Sequence, residues 1–222
     1  MSQLILGIDD AGRGPVIGPM VLAGCLITEE TEKEFKKSGV RDSKQLTRKR
    51  RAFLESLIKE KAEAFFVQKA HAHEIDGKNH DGVNLNDLEA QMAADIINEI
   101  NKGFQKIKVV IDCPSVNRTN WRNSVMMKID NLSNLEISCE HKADVNHVAV
   151  SAASILAKEE REREMDILRG QYKEIGSGYS SDPNTRKFLE KNLKNLEHKG
   201  IFRKTWKTWK KAHSDSGQKK LM

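Results

Sequence analysis

Three short acidic segments carry the residues best suited to chemistry: Gly7-Ile8-Asp9-Asp10-Ala11-Gly12-Arg13-Gly14, Val110-Ile111-Asp112-Cys113-Pro114 and Lys142-Ala143-Asp144. Carboxylates drawn from distant parts of a chain repel one another and are costly to gather unless a cation neutralises them. Their oxygens suit hard divalent metals, and such metals point to phosphate chemistry. Each segment alone has a plainer reading. Asp9 and Asp10 can close a strand, because Asp enters turns readily, and Asp144 can serve as a helix cap or dipole partner. Asp112 resists that reading, since it follows Val109, Val110 and Ile111 and precedes Pro114, so it sits where α/β sheets place their chemistry.

The elements that must position these acids follow from hydrophobic patterning. Leu4 to Ile8 and Met20 to Thr28 read as neighbouring strands joined by a loop with Gly12, Gly14, Pro15, Gly18 and Pro19. Thr47 can cap a helix reaching about Lys61, with Phe53, Leu54, Leu57 and Ile58 on its apolar face. Glu63 to Ala70 reads as a third strand, and Asn79 to Gly82 as a polar loop. A helix carries Leu85, Leu88, Met92, Ile96, Ile97 and Ile100 at helical spacing. Ile107 to Asp112 and Leu135 to Cys139 read as two further strands, with an irregular stretch between them. A long helix spans Asn146 to about Arg169, its small residues Ala149 to Ala153 suited to close packing on a sheet. The order predicts an α/β fold, a mixed sheet with helices on both faces. If strands one and four are neighbours, Asp9 and Asp112 meet at one end of the sheet and Asp144 swings in beside them.

The glycine-rich turn does not suit a dinucleotide-binding loop. Such a loop opens a helix, whereas Pro15 and Pro19 lead into the β-like Met20 to Thr28. A tight hairpin and a backbone cradle for a ligand both fit it. His71, His73, His80, His141 and His147 show no zincin spacing, and no Ser-His or Cys-His arrangement stands out. Cys25, Cys113 and Cys139 lie in apolar stretches and read as reduced core residues.

Composition sets the frame. The 222 residues suit one good-sized domain with a small appendage. Thirty-eight Lys and Arg against 32 Asp and Glu give a formal charge of +6. Bases crowd Arg41 to Arg51 and Lys199 to Lys211, as a polyanion beside an acidic centre requires. No apolar run approaches the ~20 residues of a membrane span, and no signal-peptide core is present. The expectation is a soluble, cytoplasmic monomer. There is no internal repeat, and the tail from His213 reads as disordered.

Taken together, the segments resemble the type 2 ribonuclease H family (ribonuclease HII), in particular its archaeal single-chain branch. The likeness covers nearly the whole chain: GIDDAGRGPVIGPMV from Gly7, DSKQLT from Asp42, NLNDLEA from Asn84, VVIDCP from Val109, EHKAD from Glu140, SAASILAKEERE from Ser151 and GSGYSSDPNT from Gly176. The resemblance implies a ribonuclease H-like domain, with a mixed five-stranded sheet flanked by helices, over residues 1–169. It implies a small helical region with a flexible tail over 170–222. It further implies a metal-dependent endonuclease acting on the RNA strand of RNA–DNA hybrids and on single ribonucleotides in duplex DNA. By motif, Asp9, Asp10, Asp112 and Asp144 become the catalytic, metal-holding carboxylates for two Mg²⁺ or Mn²⁺ ions. Gly12, Arg13 and Gly14 become contacts to the ribonucleotide and its 2′-OH, Tyr179 a platform for the next sugar, and Lys44 and Asn84 phosphate contacts. Two departures stand out: Asp10 where the family pattern has Glu, and Ser180 where Pro is common. The first raises the alternative of a hybrid-binding module with an impaired site. A resolvase or integrase-type nuclease is a further alternative that shares the fold. Gln218-Lys219-Lys220-Leu221 resembles the first half of a sliding-clamp-binding peptide, without the two aromatic residues that complete it.

Overall fold

The computed structural model describes residues 3–40 and 46–218. Its strands are β1 (Leu4–Ala11), β2 (Met20–Thr28), β3 (Ala64–Ala70), β4 (Ile107–Asp112) and β5 (Leu135–Glu140). The helices are α1 (Glu29–Ser38), α2 (Arg48–Lys61), α3 (Ala72–His80), α4 (Leu85–Ile100), α5 (Arg118–Met126), α6 (Ala143–Asn146), α7 (Val148–Gln171), α8 (Pro183–Leu196) and α9 (Lys207–Gln218). The chain forms two compact units interleaved in sequence. The first holds Met1–Ala11, Val21–Gln68 and Asn86–Glu160; the second holds Gly12–Met20, Lys69–Leu85 and Arg161–Met222.

The first unit is a mixed five-stranded sheet in the order β3-β2-β1-β4-β5, with β1 antiparallel to β2 and parallel to β4, and β4 parallel to β5. Strands one and four are therefore neighbours, as the acidic segments require. Alternation along β2 divides the two faces. Val21, Ala23, Cys25 and Ile27 join Phe35 of α1, Leu54 and Ile58 of α2, and Ala149, Ala152, Ala153 and Leu156 of α7 in one core. Gly24 faces the other way, toward Ile96 and Ile100 of α4. The small residues at the start of α7 bring its backbone onto Gly7 of β1, where a Cβ would lie 2.1 Å from the carbonyl carbon of Ala149.

Thr47 caps α2, its hydroxyl accepting from the Arg50 amide at 3.3 Å. Several elements lie beyond what periodicity reveals. α1 buries one side chain, Phe35, and is fixed by the Thr28 cap and by Gly39 in the left-handed region. α3 has Ile75 as its only large buried apolar side chain and carries an internal Gly77; α5 buries only Trp121 and Val125. With so few apolar positions there is no 3.6-residue signal to read. β1 runs three residues past Ile8, so Asp9 and Asp10 lie within the strand rather than after it. α9 continues through His213 to Gln218, and the His213 ring lies 6.4 Å from that of Trp209. Among the described residues no helix is long and apolar enough to cross a membrane.

The second unit has its own core, in which Val16 and Ile17 pack with Met165, Ile175, Phe188, Leu189, Phe202 and Trp209. Asp182 caps α8 by accepting from the Asn184 amide at 2.9 Å, and Pro183 opens the helix.

Candidate active site

In the first unit, the parallel ladder between β1 and β4 ends at the pair Ile8 and Ile111. One rung further lie Asp9 and Asp112, so register alone brings two carboxylates together. Asp9 shares the face of Gly7 and is buried against α7, with 6% exposure. Its Oδ1 accepts the Asp10 amide at 2.8 Å, and Ser154 of α7 also hydrogen-bonds its side chain. Lys158, one turn along α7, donates from Nζ to Ser154 Oγ at 2.9 Å. Asp112 closes β4 and accepts the Ala143 amide on Oδ1 at 2.7 Å. That bond ties Asp112 to the residue before Asp144. Asp144 itself is buried in α6, where its carbonyl accepts the Ser151 hydroxyl. The turn from β5 into α6 passes through Lys142 in the left-handed region, φ 58° and ψ 37°. An L-residue rarely adopts that conformation unless its surroundings impose it.

Electrostatics makes the cluster acidic to the point of self-limitation. The Asp9 carboxyl is pushed from its ordinary value of 3.8 up to about 8, first by burial, then by Asp10 and, to a smaller extent, Asp112; the Ser154 hydrogen bond opposes the rise. The structure thus holds a surplus of carboxylate oxygen that a hard cation would relieve. Among the described residues no group of three or more His, Cys, Asp or Glu side chains is placed to hold a metal ion. The neighbouring carboxylates of Asp9 and Asp112 suit Mg²⁺ or Mn²⁺, for which one or two carboxylates suffice when water and substrate phosphate supply the other ligands. Beside the cluster, Glu140 pairs with Asp112 across the β4–β5 ladder and meets His147 Nε2 at 2.8 Å. The His147 hydrogen bond holds the Glu140 carboxyl below its usual range. The three cysteines are free and buried, as expected.

The second unit contains the glycine-rich turn and Tyr179. Gly12 sits at φ 82°, and a Cβ there would lie 2.3 Å from Arg161 Nε and 2.7 Å from the Pro19 carbonyl. Both the conformation and the crowding demand glycine. Gly14 is different, because an added Cβ would meet only Tyr179 Cε1, at an ordinary 3.9 Å. The fold therefore tolerates a methyl at Gly14. The Gly178 carbonyl accepts the Val16 and Ile17 amides at 2.9 and 3.2 Å, which docks the tyrosine loop on the turn. Tyr179 is 40% exposed. The Arg161 guanidinium lies 5.0 Å from its ring centroid, and Nη2 donates to the Ser177 carbonyl at 3.0 Å. Burial holds Arg161 below its ordinary pKa.

Of the remaining sequence-predicted residues, Asn84 is exposed immediately before α4. Lys44 and the segment after Gln218 lie outside the described residues. Ser180 follows Tyr179 in a loop ordered from its far end, where Asp182 Oδ2 accepts the Ser177 amide at 2.7 Å. His71 caps α3 through a reciprocal pairing with Glu74. Sequence reasoning missed Ser154, Lys158 and Arg161, although they stand in the quoted SAASILAKEERE segment. Ser154 and Lys158 stand one turn apart on α7, and only the face that this helix turns to β1 singles out Ser154; Arg161 is marked by its contacts with Gly12 and Tyr179.

The comparisons agree with this geometry. A profile of the family described as Ribonuclease HII matches residues 6–209. The chain is 42% identical to the ribonuclease HII of Methanocaldococcus jannaschii over 234 aligned positions, covering 99% of both proteins. Among solved structures it is similar to the ribonuclease H2 from Pyrococcus horikoshii OT3, with a TM-score of 0.86 and 35% identity over 96% of this chain and 98% of the other. It is also similar to the ribonuclease in the PCNA:RNase HII complex from Archaeoglobus fulgidus, with a TM-score of 0.80 and 33% identity over 92% and 95%. A match of this extent, on a sheet whose strand order brings Asp9 beside Asp112, shows that the chain belongs to the ribonuclease HII family of RNA–DNA hybrid endoribonucleases.

Proposed function

We propose that the protein is a divalent-metal-dependent endonuclease. It cuts the RNA strand of RNA–DNA hybrids and incises duplex DNA 5′ of a single ribonucleotide, leaving a 5′-phosphate and a 3′-hydroxyl. The observation that carries this reading is the register that sets buried Asp9 beside Asp112 at the end of the β1–β4 ladder, with the Ala143 amide tying Asp112 to the segment that bears Asp144. Asp9, Asp10, Asp112 and Asp144 would hold Mg²⁺ or Mn²⁺. Two such ions supply an activated water and stabilise charge on the departing 3′ oxygen. Asp9 must give up its proton to ligate a cation. Ser154, bonded to Asp9 and in turn to Lys158, favours that ionised form.

Selectivity needs a group that senses the 2′-OH, the one handle separating ribose from deoxyribose. Backbone groups of Gly12, Arg13 and Gly14 take that role, and Tyr179 stacks on the sugar that follows. Lys44 and Asn84 contact flanking phosphates. Gly14 offers a clean test. Gly14→Ala is expected to change stability by no more than about 0.5 kcal/mol, yet to lower cleavage at a single ribonucleotide by roughly a hundredfold through misplacement of the substrate. Thermal melts and initial rates measure the two effects, and unchanged rates would remove the turn from the reading.

Asp10 is one methylene shorter than the Glu of the family pattern. Activity with Mg²⁺ is expected to rise in an Asp10→Glu variant, while Mn²⁺ partly restores the parent protein. Equal rates for both proteins in both metals would refute this.

A duplex carrying one ribonucleotide, incubated with Mg²⁺ or Mn²⁺, tests the whole proposal. One cut 5′ of the ribonucleotide, lost in Asp112→Asn, is the expected result. Hybrid binding with no cleavage in either metal would favour the impaired binding module, and equal cutting of all-DNA duplex would favour a resolvase-type nuclease. The solved Archaeoglobus fulgidus relative is in a complex with PCNA. A sliding-clamp contact through the segment from Gln218 is accordingly part of the proposal, tested by pull-down with and without that segment.

A further inference from the structure

Arg203 is fully buried in the second unit, and its guanidinium is spent on the glycine-rich turn. Nη2 donates to the Gly12 carbonyl at 2.6 Å and the Gly18 carbonyl at 3.0 Å, Nη1 to the Arg13 carbonyl at 2.8 Å, and Nε to the Gly18 carbonyl at 3.1 Å. The far side of the guanidinium packs on Trp206, 5.0 Å from its ring centroid. The backbone completes the clasp. Arg203 N donates to the Val16 carbonyl at 2.9 Å and Gly18 N to the Ile201 carbonyl at 3.1 Å, while Ile17 bridges Phe202 in antiparallel fashion. The clasp is itself anchored. Buried Asp76 accepts the Lys204 amide at 2.7 Å, the Thr205 amide at 3.1 Å and the Thr205 hydroxyl at 2.7 Å.

We propose that Arg203, braced by Asp76, is a positioning residue that fixes the Gly12-Arg13-Gly14 turn in the one backbone conformation able to discriminate ribose. It rests on the reading of that turn as the ribose sensor. Three features carry the inference. A turn that must place N–H groups on a 2′-OH to within a few tenths of an ångström needs its carbonyls held from behind, since glycine contributes no side-chain restraint. A planar fork of five donors holds these three carbonyls with four hydrogen bonds in one fixed plane, a geometry that the three tetrahedral donors of a lysine ammonium do not reproduce. Full burial also keeps the guanidinium from meeting a phosphate, so its effect on the substrate passes through the turn.

The test combines hydrogen exchange with kinetics on Arg203→Lys and, as a gentler second variant, Asp76→Asn. The Val16, Ile17 and Gly18 amides are expected to exchange at least about tenfold faster in Arg203→Lys, and less so in Asp76→Asn. At a single ribonucleotide, kcat is expected to fall by about ten- to a hundredfold. Affinity for an all-DNA duplex, measured with Ca²⁺, should stay within about twofold, because phosphate contacts are untouched. General loss of stability would lower the folded fraction without this split between kcat and affinity. Unchanged exchange at residues 16–18 in both variants overturns the clasp. Faster exchange with unchanged kcat overturns the turn's role as ribose sensor and leaves the clasp as a feature of the fold alone.

Discussion

Asp9→Asn is expected to lower cleavage by at least about a thousandfold and at the same time to make the metal-free protein more stable at pH 8. Both effects have one cause. In the folded chain the Asp9 carboxyl is raised from 3.8 to about 8, so between those values the native state keeps a proton that the unfolded state has released. Stability from this group is fully present below pH 3.8. It falls as pH rises toward about 8, with a limiting slope of about 1.4 kcal/mol per pH unit. An amide has no proton to lose and removes that slope. Thermal melts of both proteins in EDTA from pH 5 to 9 would show the parent declining relative to the variant. Parallel profiles would mean that Asp9 is ionised on folding and that the cluster is less acidic than the geometry implies.

Gly7→Ala carries the largest expected cost to the fold. Its new Cβ would lie 2.1 Å from the Ala149 carbonyl carbon and 2.2 Å from the Val150 nitrogen. These are backbone atoms in the middle of a close helix–sheet contact, so no rotamer change relieves the clash and α7 must lift away. A loss of about 3 kcal/mol or more is expected, which lowers the melting temperature by roughly 6 to 12 °C for a chain of this size. Gly24→Ala provides the contrast. Its Cβ would come within 2.4 Å of Ile96 Cγ2, but a side-chain end can move, so the cost should be smaller. The two residues sit on opposite faces of the sheet, and chemical denaturation of both variants ranks them directly. Because Ser154 reaches Asp9 from α7, Gly7→Ala should also weaken cleavage in whatever fraction stays folded, while Gly24→Ala should not.

The sheet was legible because its strands are short apolar runs bounded by Gly, Pro and charge, and because their order left few topologies open. The convergence of Asp9 and Asp112 is legible only on the condition that strands one and four are neighbours, and the strand order β3-β2-β1-β4-β5 meets it. What stayed hidden has a physical reason in each case. α1 is held by one buried Phe35 and a Thr28 cap, so its sequence reads as a charge run. Asp9 and Asp10 extend β1 because Leu22 and Ala23 of β2 pair with them, a tertiary effect that local preference for turns opposes. Lys142 in the left-handed region carries no sequence mark, since that conformation usually favours Gly or Asn. Arg203 is the clearest instance. In a basic run such as Lys199 to Lys211 it reads as one more surface charge, and only the fold reveals it inside, holding three carbonyls.

The proposed function requires carboxylates from β1, β4 and α6 to share a cation. Calorimetric titration of the protein with Mn²⁺ at pH 7, in two buffers of different ionisation enthalpy, addresses it most directly. Binding is expected to release about one proton, because Asp9 must ionise to become a ligand, and the release is expected to disappear in Asp9→Asn along with most of the affinity. Equal Mn²⁺ affinity in the two proteins, with no proton released by either, would contradict it.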